Sequence, residues 1–159
     1  MRAIDYFDKS AESYSARTAI IDGPARYTFR ETREISERIA RAMWASGLRS
    51  DERAAIYSPN DARVLFCMLG IFRSGAVWVP INTRNATEAN VAYMNYVETS
   101  WLFYHASFRD AVAESFAGIV SHRDERPSIR VLPDVVHCRD VSMVQFRRSA
   151  CLRQEARPS

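Results

Sequence analysis

The stretch from Arg73 to Asn82 reads RSGAVWVPIN. Its centre, Ala76–Val79, is apolar and contains β-branched and aromatic side chains, the composition of a buried strand. Gly75 closes the segment before it, and Pro80 after it has no backbone N–H to give to a ladder, so pairing is expected to weaken there. Asn82 and Thr83 then make a polar end. A strand with apolar side chains on both faces and polar residues at its exit suits a parallel sheet, where ligand crevices form at the carboxyl edge.

Working outward, AAIYS (Ala54–Ser58) and WLFY (Trp101–Tyr104) have the same character. Between the first two strands lie Val64, Leu65, Phe66, Met68, Leu69, Ile71 and Phe72, apolar on most sides, which predicts a largely buried helix closed by Gly75. Ser58 and Pro59 ahead of it read as N-cap and first helical position. Thr87 to Glu98 predicts a helix with Val91, Met94 and Val97 inward, and Phe108 to about Phe116 a last one. Upstream, AIIDG (Ala19–Gly23) and RYTF (Arg26–Phe29) flank a Gly-Pro turn and read as a hairpin. Thr28 and Glu31 have capping-box spacing. They open a helix with Ile35, Ile39, Ala42 and Met43 on one stripe, and Gly47 as its stop.

The order is a hairpin followed by helices alternating with strands. That pattern is α/β: a mainly parallel sheet with helices on both faces. The expected division is an N-terminal subdomain over residues 1–118 and a tail over residues 119–159. Sustained periodicity lapses in the tail, which is expected to be irregular, although Val135-Val136 and Val141–Phe146 could be short strands.

The 159 residues carry a formal net charge of +3. Residues 1–120 hold 14 basic and 14 acidic side chains, and residues 121–159 hold 8 arginines and 5 acids. The excess therefore sits in the tail, a poor footprint for a nucleic-acid domain, and no nucleic-acid partner is expected. No run approaches the length of a membrane span. The first residues, MRAIDYFDKSAESYSA, carry acids where a signal peptide needs an apolar core, so a cytoplasmic chain is expected. Three cysteines (Cys67, Cys138 and Cys151) without CxxC spacing argue against a disulfide framework or a structural zinc site. Cys67 reads as a small buried hydrophobe, and His137-Cys138 beside Asp140 lacks the second ligand cluster that a metal needs. Trp44, Trp78 and Trp101 fall at core positions of the predicted elements.

With parallel strands, Ser58, Asn60, Asn82, Thr83, His105 and Ser107 share one edge. They read either as a polar rim for a ligand or as loop and capping chemistry, since Ser58, Asn85 and Ser107 each precede a helix. Arg84 and Arg109 lie near the same edge and could attract a phosphate.

The chain resembles the start of the AMP-forming acyl-CoA synthetases, the adenylate-forming ligase superfamily. The residues that carry the likeness are Tyr27-Thr28-Phe29-Arg30-Glu31, ASGLR (Ala45–Arg49), AAIYSPN (Ala54–Asn60), GAVWVPIN (Gly75–Asn82) and TEANVAYMNYVETSWLFY (Thr87–Tyr104). They follow the family's order over about residues 1–116. Relatives usually place a Gly-Asp turn where this chain has Ser50-Asp51-Glu52. The resemblance implies carboxylic-acid activation, with ATP, magnesium and coenzyme A serving the full-length enzymes. It also implies what is missing. The family's Ser/Thr/Gly-rich phosphate loop ending in lysine, its aromatic-x-x-Thr-Glu motif, its ribose-binding aspartate and its C-terminal lysine do not occur here. The five glycines are scattered, and Lys9, the single lysine, precedes the fold and matches neither family lysine.

No catalytic, cofactor-binding or metal residue is therefore named, and no cofactor is expected for this chain alone. Two functions remain open. One is the N-terminal part of an acid–thiol ligase, active in processes such as fatty-acid metabolism, not competent alone and prone to self-association through apolar surface. The other is a stand-alone α/β binding or protein-interaction module without enzymatic activity.

Overall fold

The structure, a computed structural model, describes residues 2–113, 130–132 and 141–145. It opens with a helix the sequence reading did not anticipate, α1 (Ala3–Ser13), which buries Ile4 and Ala11. Lys9 therefore belongs to the fold and does not precede it, on an exposed position of this helix. The predicted hairpin follows as β1 (Thr18–Asp22) and β2 (Ala25–Thr28), paired antiparallel. Gly23 turns it at φ 55°, a left-handed conformation that favours glycine. Thr28 then caps α2 (Phe29–Ala45) through a complete capping box with Glu31.

The main sheet has five strands, in the order β4 (Val77–Pro80), β3 (Arg53–Tyr57), β5 (Trp101–His105), β7 (Val141–Gln145) and β6 (Arg130–Leu132). Its parallel part comprises β3 (Arg53–Tyr57), β4 (Val77–Pro80) and β5 (Trp101–His105), with β3 in the middle. The connecting helices are α3 (Ala62–Ser74) and α4 (Thr87–Tyr96). Alternation along the strands divides the core cleanly. Ala54, Ile56, Trp101 and Phe103 face α2 and α3 with Ile39, Met43, Phe66 and Ile71. Ala55, Tyr57, Val79, Leu102 and Tyr104 face the other way, onto Met94 of α4 and Val112. Both faces of the sheet are thus covered, as the apolar strands require.

Helix α3 lies against α2 so closely that an added methyl group at Gly70 would stand 2.5 Å from Ile39 Cγ2 and 3.3 Å from the Ser36 carbonyl oxygen. Gly75 ends α3 with φ 85°, as expected of a left-handed C-cap.

Several expectations need correction. The cap of α3 is Asp61, whose Oδ1 accepts the N–H groups of Arg63 and Val64 at 2.9 and 3.2 Å. Ser58-Pro59 stay outside the helix and carry the chain off the end of β3. A carboxylate accepts these N–H bonds more strongly than a hydroxyl does, and Asp22 of the hairpin takes a further N–H, that of Ala62, at 3.1 Å. Trp101 is fully buried, but Trp44 is 51% exposed. It sits at the end of α2, where its indole N–H donates to the Ser74 carbonyl at 3.0 Å.

The segment expected to be an irregular tail contributes two strands, β6 (Arg130–Leu132) and β7 (Val141–Gln145). Strand β7 pairs antiparallel with β5 across its whole length, and β6 pairs antiparallel with β7. An open β5 leaves a row of unpaired backbone groups, which is the demand that β7 meets. Val135-Val136 lie outside the described residues. So do the last residues of the predicted final helix, which is helical over residues 109–113, and Cys138, Cys151, His137 and Asp140.

Candidate functional site

Because β3, β4 and β5 are parallel, their carboxyl ends meet at one edge. The chain leaving β3 enters α3 on one face, whereas the chain leaving β4 or β5 goes to the opposite face. The end of β3 is thus flanked by strands whose exits diverge from its own, the place where open α/β sheets form crevices. Ser58, Asn82 and His105 stand at the ends of the three strands, as the sequence placed them.

Pro80 lies on β4, an edge strand among the described residues, opposite Ile56. The next residue, Ile81, donates its N–H to the Ile56 carbonyl at 3.1 Å. Alternation then turns the Pro80 nitrogen outward, where no ladder bond is lost. The strand ends at Pro80, as the sequence reading expected, with this one backbone bond beyond it.

The polar groups of this edge are largely spent on one another. Asn82 Oδ1 accepts the Arg84 N–H at 3.0 Å, and the Asn82 carbonyl accepts from Asn90 Nδ2 at 2.9 Å. Asn85 Nδ2 donates to Asn90 Oδ1 at 3.3 Å. Asn90 is 2% exposed and is the member of this set that sequence reasoning missed. Its only signal was a polar residue on the inward stripe of α4. Asn85 does not cap that helix, because the N-cap position is Ala86, without a side-chain bond. At β5 the cap of the short 3-10 turn Ala106–Phe108 is His105, whose Nδ1 accepts the Ser107 N–H at 3.2 Å and lies 2.7 Å from Ser107 Oγ.

Ser58 Oγ differs from these: it is buried and has no hydrogen-bond partner among the described residues. Tyr57 stacks on Phe108 with ring centroids 4.3 Å apart, which closes the opposite side of the β3 end with aromatic surface. Arg84 and Arg109 are both exposed. Among the described residues no group of histidine, cysteine, aspartate and glutamate side chains is arranged to hold a metal ion. Cys67 is buried, as expected of a packing residue. No described helix is long and apolar enough to cross a membrane. The edge is therefore a braced rim, shaped by capping and by side-chain amides, with one orphan hydroxyl.

The sequence profile of the AMP-binding enzyme family matches residues 7–156, from within α1 to beyond β7. The chain belongs to the AMP-binding enzyme family. The match includes both strands of the presumed tail. The 3-[(3aS,4S,7aS)-7a-methyl-1,5-dioxo-octahydro-1H-inden-4-yl]propanoyl:CoA ligase of Rhodococcus jostii (strain RHA1) is 37% identical over 82 residues, 51% of this chain and 16% of that protein. The peroxisomal benzoate–CoA ligase of Arabidopsis thaliana is 25% identical over 129 residues, 81% of this chain and 22% of its own length. The chain thus spans no more than about a quarter of these AMP-binding relatives. Among solved structures, the anthranilate CoA ligase AuaEII in complex with anthranoyl-AMP superposes with a TM-score of 0.70 at 22% identity, over 74% of this chain and 23% of that one. This likeness extends to the fold.

Proposed function

We propose that this chain forms the N-terminal scaffold of an AMP-forming acid–thiol ligase and does not catalyse adenylation alone. In the complete reaction a carboxylic acid is joined to the α-phosphate of ATP, pyrophosphate leaves, and the acyl group passes to coenzyme A. The residues described here would brace the sheet and supply part of one wall of the acid's pocket. The observation that carries the reading is the carboxyl edge: Asn82, Asn85, Asn90, His105 and Ser107 bond among themselves and to their own loops. Groups committed in this way hold loops in place and have little capacity left to hold a triphosphate.

The energetics of the reaction support the same reading. Preorganised donors aimed at developing charge are usually the largest catalytic contribution, and removing one costs on the order of 100-fold or more. This sequence contains no phosphate loop, no aromatic-x-x-Thr-Glu motif and no second lysine. ATP, magnesium, coenzyme A and a small carboxylic acid belong, on this proposal, to an enzyme that includes the residues bearing those motifs. A cytoplasmic setting belongs to the same proposal. So does self-association of the isolated chain, supported by Trp44, Val77 and Tyr96, which are 51%, 45% and 86% exposed.

The test is ATP–pyrophosphate exchange with purified chain across short, medium, long-chain and aromatic acids. The expected result is no acid-dependent exchange. Exchange that co-purifies with the chain and vanishes on its depletion would overturn the proposal.

A further inference from the structure

Asp8 lies on the inner stripe of α1, one turn after Ile4 and just before Ala11, the two residues the helix buries completely or nearly so. An acid on such a stripe loses solvation and needs a partner. It has one on α3: Arg73 donates Nη1 to Asp8 Oδ2 at 2.9 Å and Nη2 to Oδ1 at 2.6 Å. The same guanidinium donates Nε to Ser36 Oγ of α2 at 3.2 Å, and the Ser36 hydroxyl donates to the Arg33 carbonyl at 2.8 Å. Arg33 adds looser contacts, 3.7 Å to Asp8 and 3.9 Å to Glu12, while bonding Glu37 at 3.0 Å. The Arg73 and Asp8 side chains are only 12% and 23% exposed.

The apolar part of the contact includes the fully buried Ile4, Ala11 and the tilted pair Phe7–Phe29, with ring centroids 5.7 Å apart. The chain just after α1 is pinned separately, because the N–H groups of Arg30 and Phe29 donate to the Ser15 and Arg17 carbonyls. A terminal helix held by one bidentate ion pair beside a short apolar stripe, next to a fixed anchor, can open as a unit.

We propose that α1 is an electrostatically latched strap, released as a unit about residues 13–15 while α2, α3 and the sheet stay folded. The latch is Asp8–Arg73. Opening frees a cationic seat, Arg73 with Ser36, on the seam between α2 and α3, which α1 occupies in the closed state. Arg73 is in the last turn of α3, away from the Asp61 end that adjoins the carboxyl edge, so the rim of Ser58, Asn82 and His105 is unchanged by opening. The inference does not depend on the ligase proposal.

Residue-resolved hydrogen exchange on the full chain tests it. In the native protein the amides of Phe7–Ser13 should exchange through an opening that α3 and β5 do not share. Asp8→Asn and Asp8→Ala should speed α1 exchange by about tenfold or more, since they leave the Arg73 charge enclosed without its partner. Glu12→Gln, at an exposed and distant contact, should change it by less than about twofold. The proposal is overturned if α1 and α3 exchange together in the native protein. It is equally overturned if the Asp8 variants accelerate every element alike or fail to fold.

Discussion

At the head of α2, Thr28 and Glu31 hold each other by three hydrogen bonds. The Thr28 N–H and hydroxyl both donate to Glu31 Oε2 at 2.8 Å, and the Glu31 N–H donates to Thr28 Oγ1 at 3.2 Å. The backbone bond from Thr28, followed by the hydroxyl bond, holds the Glu31 carboxyl below its ordinary value. A depressed folded-state pKa means stability that is present above the unfolded value, about 4.3, and is lost as pH falls through the folded value. Glu31→Gln should therefore melt below the native protein at pH about 6, and the two melting curves should converge in acid. A gap that widens as pH falls would contradict the linkage. At the head of α3 the roles divide between two candidate caps. Asp61→Ala should cost about 1 kcal/mol, because two N–H groups lose their acceptor. Ser58→Ala should be neutral or slightly stabilising, because it removes a buried hydroxyl that has no partner among the described residues. Urea titration of both variants measures the contrast, and equal losses would make Ser58 a cap after all.

The element scale is decided where α2 crosses α3. Glycine within a helix ordinarily costs up to about 1 kcal/mol relative to alanine, so Gly70→Ala would stabilise an isolated α3. In the folded chain the new methyl would meet Ile39 Cγ2 at 2.5 Å and Ile39 Cβ at 2.7 Å, with the Ser36 carbonyl behind them at 3.3 Å. Ile39 is fully buried. Overpacking of this kind typically costs about 1–3 kcal/mol, more than the propensity gain. Gly70→Ala should lower the melting temperature, and Gly70→Ala combined with Ile39→Val should recover part of the loss. Melting of the three variants by circular dichroism checks both statements; an unchanged or raised temperature for the single variant would show that the helices move apart freely.

For the whole molecule the decisive pairing is β5 with β7. A chain ending at residue 129 would keep the parallel strands and their helices but leave β5 with an open edge. That chain should aggregate, or elute far larger than the 159-residue chain under the same conditions, because the uncovered edge offers backbone donors and acceptors to any other strand. A shortened chain that stays as soluble and no larger in solution than the 159-residue one would return residues 130–159 to the role of a dispensable tail.

Much of this architecture is written locally. Thr28 with Glu31 marks the start of α2, Gly75 the end of α3, and the apolar runs Ala54–Tyr57, Val77–Val79 and Trp101–Tyr104 mark three strands buried on both faces. Each of these signals lies within a few residues of the element it shapes, through capping, backbone sterics or side-chain alternation, so the α/β class and the shared carboxyl edge follow from the sequence by itself. The ordered run of such signals also identifies the AMP-binding resemblance. What only the tertiary structure decided involves partners distant in the chain. Strand β7 is short and ordinary until β5 offers it an edge. Asp61 outranks Ser58 because the chain must clear β3 before α3 can turn back over the sheet, where Asp22 meets the next N–H. Asn90 becomes a brace once the Asn82 carbonyl and Asn85 reach it, and α1 acquires its place when Asp8 meets Arg73, 65 residues away. Local patterns record the preferences of the backbone and of nearby side chains; which edge needs covering and which buried charge needs a partner are settled when separate elements come together.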